Sequence, residues 1–191
     1  NNTEIITKNY LIFCEHPAVY TLGKSGKMEH LLLDEKGLLD NHARFYKINR
    51  GGDITYHGPG QLVGYPIVKL INPTELVGFV REIESGLMAV CADLGLTTER
   101  IDGRSGVWVR DTKGERKIAA IGVRVAKGVT MHGFALNVNP DLSAFASIIP
   151  CGIVDAGVTS LELELNRSIS IDEVAPLVER HIFESLKRVS A

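Results

Sequence analysis

The sequence predicts an antiparallel sheet accompanied by two long helices, and three observations predict it. Between residues 97 and 138 four β-rich runs follow one another with only short turns between them, the pattern of strands that pair with their chain neighbours. On either side of that stretch lies an apolar stripe at helical spacing, each opened by a capping pattern. At 191 residues, 45% hydrophobic and 23% charged, the chain can bury one sizeable core, so a single domain over 1–191 is expected.

Taken in order, residues 1–9 are polar and predict loop. Residues 10–14 and 18–22 predict two short strands, with Pro17 enforcing the break and Cys14 and His16 at a strand end. Gly23-Lys-Ser-Gly-Lys27 is a basic turn. It lacks the spacing of a phosphate loop, and no helix pattern follows it directly. Residues 31–39 predict a short helix interrupted at Gly37, 44–48 a strand, and 61–68 another.

The clearest helix spans 72–94, with Asn72 as N-cap, Pro73 in first position, Glu75 completing a capping pair and Gly95 past the end. Leu76, Phe79, Val80, Ile83, Leu87, Val90, Cys91 and Leu94 form its stripe, which makes Cys91 a small buried hydrophobe. Strands follow at 97–101, 106–110, 118–125 and 129–138, with 111–115 as a charged hairpin tip. Ser170 and Glu173 predict a capping box for the last helix, and Pro176 predicts that its regular part begins later than Ser170.

Net charge is −2, which argues against a general nucleic-acid binder, and no apolar run approaches membrane-spanning length. Three cysteines without a Cys-x-x-Cys fit neither a disulfide framework nor a closed zinc site, so a reducing, cytoplasmic setting is expected. The six histidines show no H-x-x-x-H pattern, and no metal is expected. The chain opens with Asn1 rather than Met, so a missing N-terminal segment is expected.

Chemistry concentrates in Arg50-Gly-Gly-Asp-Ile-Thr-Tyr-His57-Gly-Pro-Gly-Gln61. Its glycines let backbone N–H groups approach a ligand, and Arg50, Thr55, Tyr56, His57 and Gln61 crowd polar contacts around it. On a regular strand Lys117 shares the apolar face of Ala119, Ile121, Val123 and Val125. Such a lysine either snorkels at the strand's mouth or serves a site. Cys151, between Pro150 and Gly152, is the one cysteine placed in a loop.

Arg50-Gly-Gly-x-x-Thr-Tyr-His57-Gly-Pro-Gly-Gln61, Lys117-Ile-Ala-Ala-Ile-Gly122, His132-Gly-Phe-Ala135 and Pro150-Cys-Gly-Ile153, in that order, resemble the lipoyl(octanoyl) transferases of lipoate biosynthesis; Glu15-His-Pro-Ala-Val-Tyr-Thr-Leu-Gly23 resembles their early strand pair. The resemblance implies an α+β fold shared with biotin and lipoate protein ligases: a mixed, mostly antiparallel sheet flanked by helices. It also implies transfer of an octanoyl group from octanoyl-acyl carrier protein to a specific lysine of lipoyl domains, through a cysteine thioester.

Carried over by position, Cys151 is the acylated nucleophile and Lys117 lowers its pKa. The substrate-binding residues are Arg50, Gly51, Gly52, Asp53, Ile54, Thr55, Tyr56, His57, Ala120, Ile121, Gly122, Gly133, Phe134 and Ala135. No cofactor is implied. The partners implied are acyl carrier protein and the lipoyl domains of 2-oxoacid dehydrogenase complexes and glycine cleavage H protein; the protein is expected to be a monomer, with no nucleic acid or membrane partner. A thiol of pKa about 8.5 needs such a neighbour, and an ammonium at contact is worth on the order of 4 kcal/mol at an effective dielectric of 20. His132 has two readings, orienting either group or sitting as a satisfied core histidine. Lys24, Lys27, Lys47, Arg50 and the hairpin cations Arg104, Arg110, Lys113 and Arg116 are candidates to meet an acidic carrier. Two rivals remain: an ATP-dependent ligase on the same fold, and a non-catalytic module that binds carrier proteins.

Overall fold

Buried runs in the central strands and the apolar stripes of two helices close on one large core. The computed structural model describes residues 8–149 and 156–191. Among these, ten strands and four helices occur. The strands are β1 (Tyr10–Cys14), β2 (Val19–Leu22), β3 (Arg44–Lys47), β4 (Ile54–His57), β5 (Gln61–Ile67), β6 (Glu99–Ile101), β7 (Arg104–Asp111), β8 (Gly114–Ala126), β9 (Val129–Asn137) and β10 (Gly157–Val158). The helices are α1 (Glu35–Asp40), α2 (Leu76–Asp93), α3 (Leu161–Leu165) and α4 (Ile171–Leu186).

The main sheet runs β1-β5-β9-β8-β7-β6 and is antiparallel throughout, with β10 added to β8 in parallel. A second sheet, β3-β2-β4, pairs β2 parallel to β3 and antiparallel to β4. The architecture is therefore α+β, mixed and mostly antiparallel, as expected. One expectation sharpens: β1 and β2, adjacent in the chain, fall into different sheets, because the break at Pro17 redirects the chain rather than turning it back.

Helices α2 and α4 pack together and cover one face of the main sheet. Phe79, Ile83, Leu87, Val90 and Cys91 from α2 meet Val174, Val178 and Ile182 from α4 over Leu62, Val107, Ile118, Phe134 and Leu136. A smaller core under the second sheet gathers Tyr20, Leu22, Ile54, Tyr56 and Ile148.

Helix boundaries differ from the sequence expectation in three places, each for a local reason. Asn72 does not cap α2: its Oδ1 accepts from Thr74 N–H and Oγ1–H, and Glu75 N–H donates to the Asn72 carbonyl, which closes a turn first. Glu75 then accepts from Gly78 N–H and becomes the N-cap. Helix α4 starts at Ile171, with Ser170 capping as expected, and runs through Pro176. Pro176 and Asp172 are both exposed, so water solvates the carbonyl that the proline leaves without a donor. Helix α1 likewise passes through Gly37, whose N–H donates to the capping Asp34 carboxylate.

On the buried side of α2 sits a carboxylate. Glu84 is fully buried, receives Arg81 Nη1 at 2.7 Å and Arg100 Nε at 2.8 Å, and accepts the Gly106 N–H at 2.9 Å. It ties α2 to the β6–β7 hairpin.

Candidate functional site

A cavity of about 560 Å³ lies between the two sheets, within the range of ligand pockets, roughly 300–1,000 Å³. Strand alternation forms its walls. On β4, Ile54 and Tyr56 are buried while Thr55 and His57 are half-buried and line the cavity. Thr21 of β2 and Arg44 and Tyr46 of β3 join them from the second sheet; Gln61, Val63 and Tyr65 of β5, with residues of β8 and β9, line it from the main sheet.

Lys117 reaches this cavity because β8 carries a bulge. Val107 pairs with Ala119 and the next residue, Trp108, pairs with Lys117, so one step on β7 matches two on β8. Ile118 is the extra residue, and Ile118 and Ala119 are consecutively buried in the core. The inserted residue reverses the alternation, so Lys117 leaves the face of Ala119, Val123 and Val125 expected from a regular strand and lines the cavity with Ala120 and Gly122. There its Nζ lies 4.7 Å from the centroid of the Trp108 ring. Gly106, at φ +112°, makes the close approach possible, since a Cβ there would meet the Ala119 carbonyl oxygen at 2.4 Å.

The glycine-rich loop is clamped from both sides. Gly51 N–H donates to the Val123 carbonyl at 3.0 Å, and a Cβ at Gly122 would meet the Gly51 oxygen at 2.9 Å. From outside, the basic turn donates backbone N–H groups to it: Gly23 to Asp53, Lys24 to Arg50 and Ser25 to Gly52. Arg50 is buried, with Nη2 donating to the Thr21 carbonyl at 2.6 Å and to its hydroxyl at 3.0 Å. Asp53 is buried too, accepting from Ile54 N–H and bonding His30 Nδ1 at 2.5 Å.

Histidines supply the remaining polar lining. His57 Nδ1 lies 2.6 Å from Gln61 Oε1, and burial, with Arg50 and His16 nearby, lowers its pKa to about 4. His16 Nε2 lies 2.7 Å from Tyr65 Oη and 3.3 Å from Cys14 Sγ. Burial raises the Cys14 thiol and pushes Cys91 up to about 12. His132, half-buried at φ +61°, lines the cavity and bonds Asn49 Oδ1 through Nε2 at 2.7 Å; burial and two arginines lower its pKa. It is therefore not a core histidine.

The cavity gathers Lys117 and all the expected substrate-binding residues except Gly51 and Tyr56. Gly51 is spent on the contact with β8, and Tyr56 packs in the smaller core, tilted against Tyr20 and edge-on to Phe145. Cys151 lies outside the described residues, as do Pro150, Gly152 and Ile153. Val158 of β10, paired with Lys117, lines the cavity. Sequence reading gave no role to Thr21, Asn49, Tyr65 and Trp108, whose contacts with Arg50, His132, His16 and Lys117 join different strands and loops. The hairpin arginines are engaged: Arg104 with Glu115, Arg110 with Glu99, and Arg116 with Asp111 and Glu164. Among the described residues no group of three or more His, Cys, Asp or Glu could hold a metal ion, and no helix is long and apolar enough to cross a membrane.

Residues 2–183 match the model of the lipoyl protein ligase A/B catalytic domain. An octanoyltransferase of Cytophaga hutchinsonii is 53% identical over 182 residues, covering 94% of this chain and 75% of the relative. One of Mycolicibacterium smegmatis is 54% identical over 178 residues, covering 92% and 75%. Among solved structures, a bipartite lipoate protein ligase of Thermoplasma acidophilum superposes with a TM-score of 0.78 at 21% identity, covering 95% of this chain and 72% of that one. A lipoate-protein ligase A bound with ATP gives 0.76 at 19% identity, covering 95% and 74%. The solved structures are alike in fold.

Proposed function

Because the chain belongs to the lipoyl protein ligase A/B catalytic domain family, and within it to the octanoyltransferases, we propose that it passes an octanoyl group from octanoyl-acyl carrier protein to a lysine of lipoyl domains through a thioester on Cys151. The enzyme is an acyltransferase of protein lipoylation. The observation that carries the finer reading is the β8 bulge, which turns an ammonium into a largely apolar cavity between two sheets.

In the first half-reaction the Cys151 thiolate, favoured by the Lys117 charge, attacks the donor thioester carbonyl. The new C–S bond forms, the carrier's thiolate leaves, and Lys117 gives it a proton. In the second, the lysine amine attacks the acyl-enzyme, the C–N bond forms, and neutral Lys117 takes the amine proton as Cys151 leaves. The alkyl tail rests on the cavity's apolar walls, Val63, Ile121 and Phe134, at about 0.8 kcal/mol per buried methylene. The substrates are the lipoyl domains of 2-oxoacid dehydrogenase complexes and glycine cleavage H protein, and the enzyme acts as a cytoplasmic monomer without a cofactor.

Intact mass after mixing with octanoyl-acyl carrier protein tests this. A covalent octanoyl adduct on Cys151, released by hydroxylamine and absent in Cys151→Ser, is expected. An adduct on Cys14 or Cys91 sinks the site, and ATP-dependent attachment of free octanoate that survives Cys151→Ala sinks transfer in favour of ligation.

A further inference from the structure

Four residues from three strands and a connecting segment form a chain of hydrogen bonds with one direction. Asn137 Nδ2 donates to the Thr159 carbonyl at 2.9 Å, and a carbonyl can only accept. Asn137 Oδ1 therefore faces Gln61 Nε2, at 2.8 Å. Gln61 Nε2 also donates to the Tyr56 carbonyl at 3.3 Å, which fixes the same orientation independently. Gln61 Oε1 is thus the atom beside His57 Nδ1, at 2.6 Å, and His57 must carry its proton there. Its Nε2 has no hydrogen-bond partner among the described residues, and the ring lines the cavity.

We propose that His57 Nε2 is the acceptor that holds the attacking amine, with Gln61 and Asn137 as positioning residues that keep its lone pair turned to the cavity. The inference rests on the acyl-transfer reading above. An acyl thioester offers carbonyl oxygen, sulfur and alkyl chain, none of which donates a hydrogen bond. The acceptor amine does donate, and it alone must come within bonding distance of the thioester carbon. A neutral imidazole suits this role, because an imidazolium could only donate and would tie up the amine lone pair that must attack. Burial, Arg50 and the His16 ring, 5.8 Å away, keep the group neutral. Lys117 remains the group that takes the proton, while His57 sets the direction of the nitrogen lone pair.

The test has two readouts. ¹⁵N NMR of the imidazoles in the free protein at pH 7 should show His57 with Nδ1 protonated and Nε2 bare; the opposite tautomer overturns the proposal without reference to chemistry. The half-reactions are then timed separately by quenched-flow mass measurement, using octanoyl thiophenyl ester, which has no amide N–H, as donor and Nα-acetyl-lysine amide as acceptor. In His57→Phe the transfer rate should fall at least about tenfold more than the acylation rate, the cost of a lost hydrogen bond with a buried partner. Partial recovery is expected in His57→Gln, whose amide oxygen can accept. Gln61→Leu should give mixed tautomers and an intermediate loss. Equal losses in both half-reactions, or a loss confined to acylation, overturn the proposal. If wild-type protein forms no acyl adduct, the thioester reading fails instead, and the amine KM in the one-step reaction replaces the ratio: it should rise in His57→Phe, and an unchanged KM overturns the proposal.

Discussion

The Lys117 ammonium stands over the Trp108 indole, its cross-strand partner, with Nζ 4.7 Å from the ring centroid. The ring is almost wholly buried and offers its π face to the ammonium. Such a contact is worth about 0.5–2 kcal/mol. It adds an attraction to the cation at the wall of the cavity.

The first prediction follows from that charge. Lys117→Met should leave the fold intact, raise the titration midpoint of the Cys151 thiol and lower octanoyl transfer by about 10²–10⁴-fold. Alkylation rate against pH checks the midpoint. An unmoved midpoint with lost transfer would assign Lys117 to proton transfer alone.

The three thiols should separate by reactivity. Cys91 is buried on α2 and its pKa is pushed up to about 12, so it should resist iodoacetamide until the protein unfolds. Cys14, raised by burial beside His16 and Tyr65, should react slowly. Peptide mapping after brief alkylation at pH 7.5 should find the label on Cys151 first.

Glu84→Ala should be the costly substitution on α2. It strips Arg81, Arg100 and the Gly106 N–H of a buried acceptor at once. Removing one partner of a buried pair costs about 3–5 kcal/mol. Urea unfolding measures the loss. A cost under about 1 kcal/mol would show that water replaces the carboxylate.

Stability should fall in mild acid. His57 titrates at about 4 in the folded chain against 6.5 when exposed, so above the exposed value neither state binds the proton. As pH falls from about 6.5 to about 4, the unfolded chain is protonated first and folding weakens across that window. His132, also lowered, adds in the same sense. Urea midpoints at pH 7 and pH 5 should drop in the wild type, and the drop should be smaller in His57→Gln.

The elements that local pattern can encode were legible without the fold. The stripe of α2, the Ser170 cap of α4 and the hairpin at 111–115 follow from spacing within one element, as does the glycine-rich approach at Arg50 to His57, where the chain itself carries both the permissive backbone and the polar groups. The position of Lys117 was not legible, because a regular two-residue period assigns it to the core face. Only the mismatch of one residue on β7 against two on β8, a property of paired strands, turns it round. The division of β1 and β2 between two sheets, which opens the cavity, depends on their distant partners β5, β3 and β4. So does the proton on His57, which is set through Gln61 and Asn137 by the carbonyl of Thr159. Hydrogen bonds between residues far apart in the chain leave no period behind them, and packing alone decides which of them form.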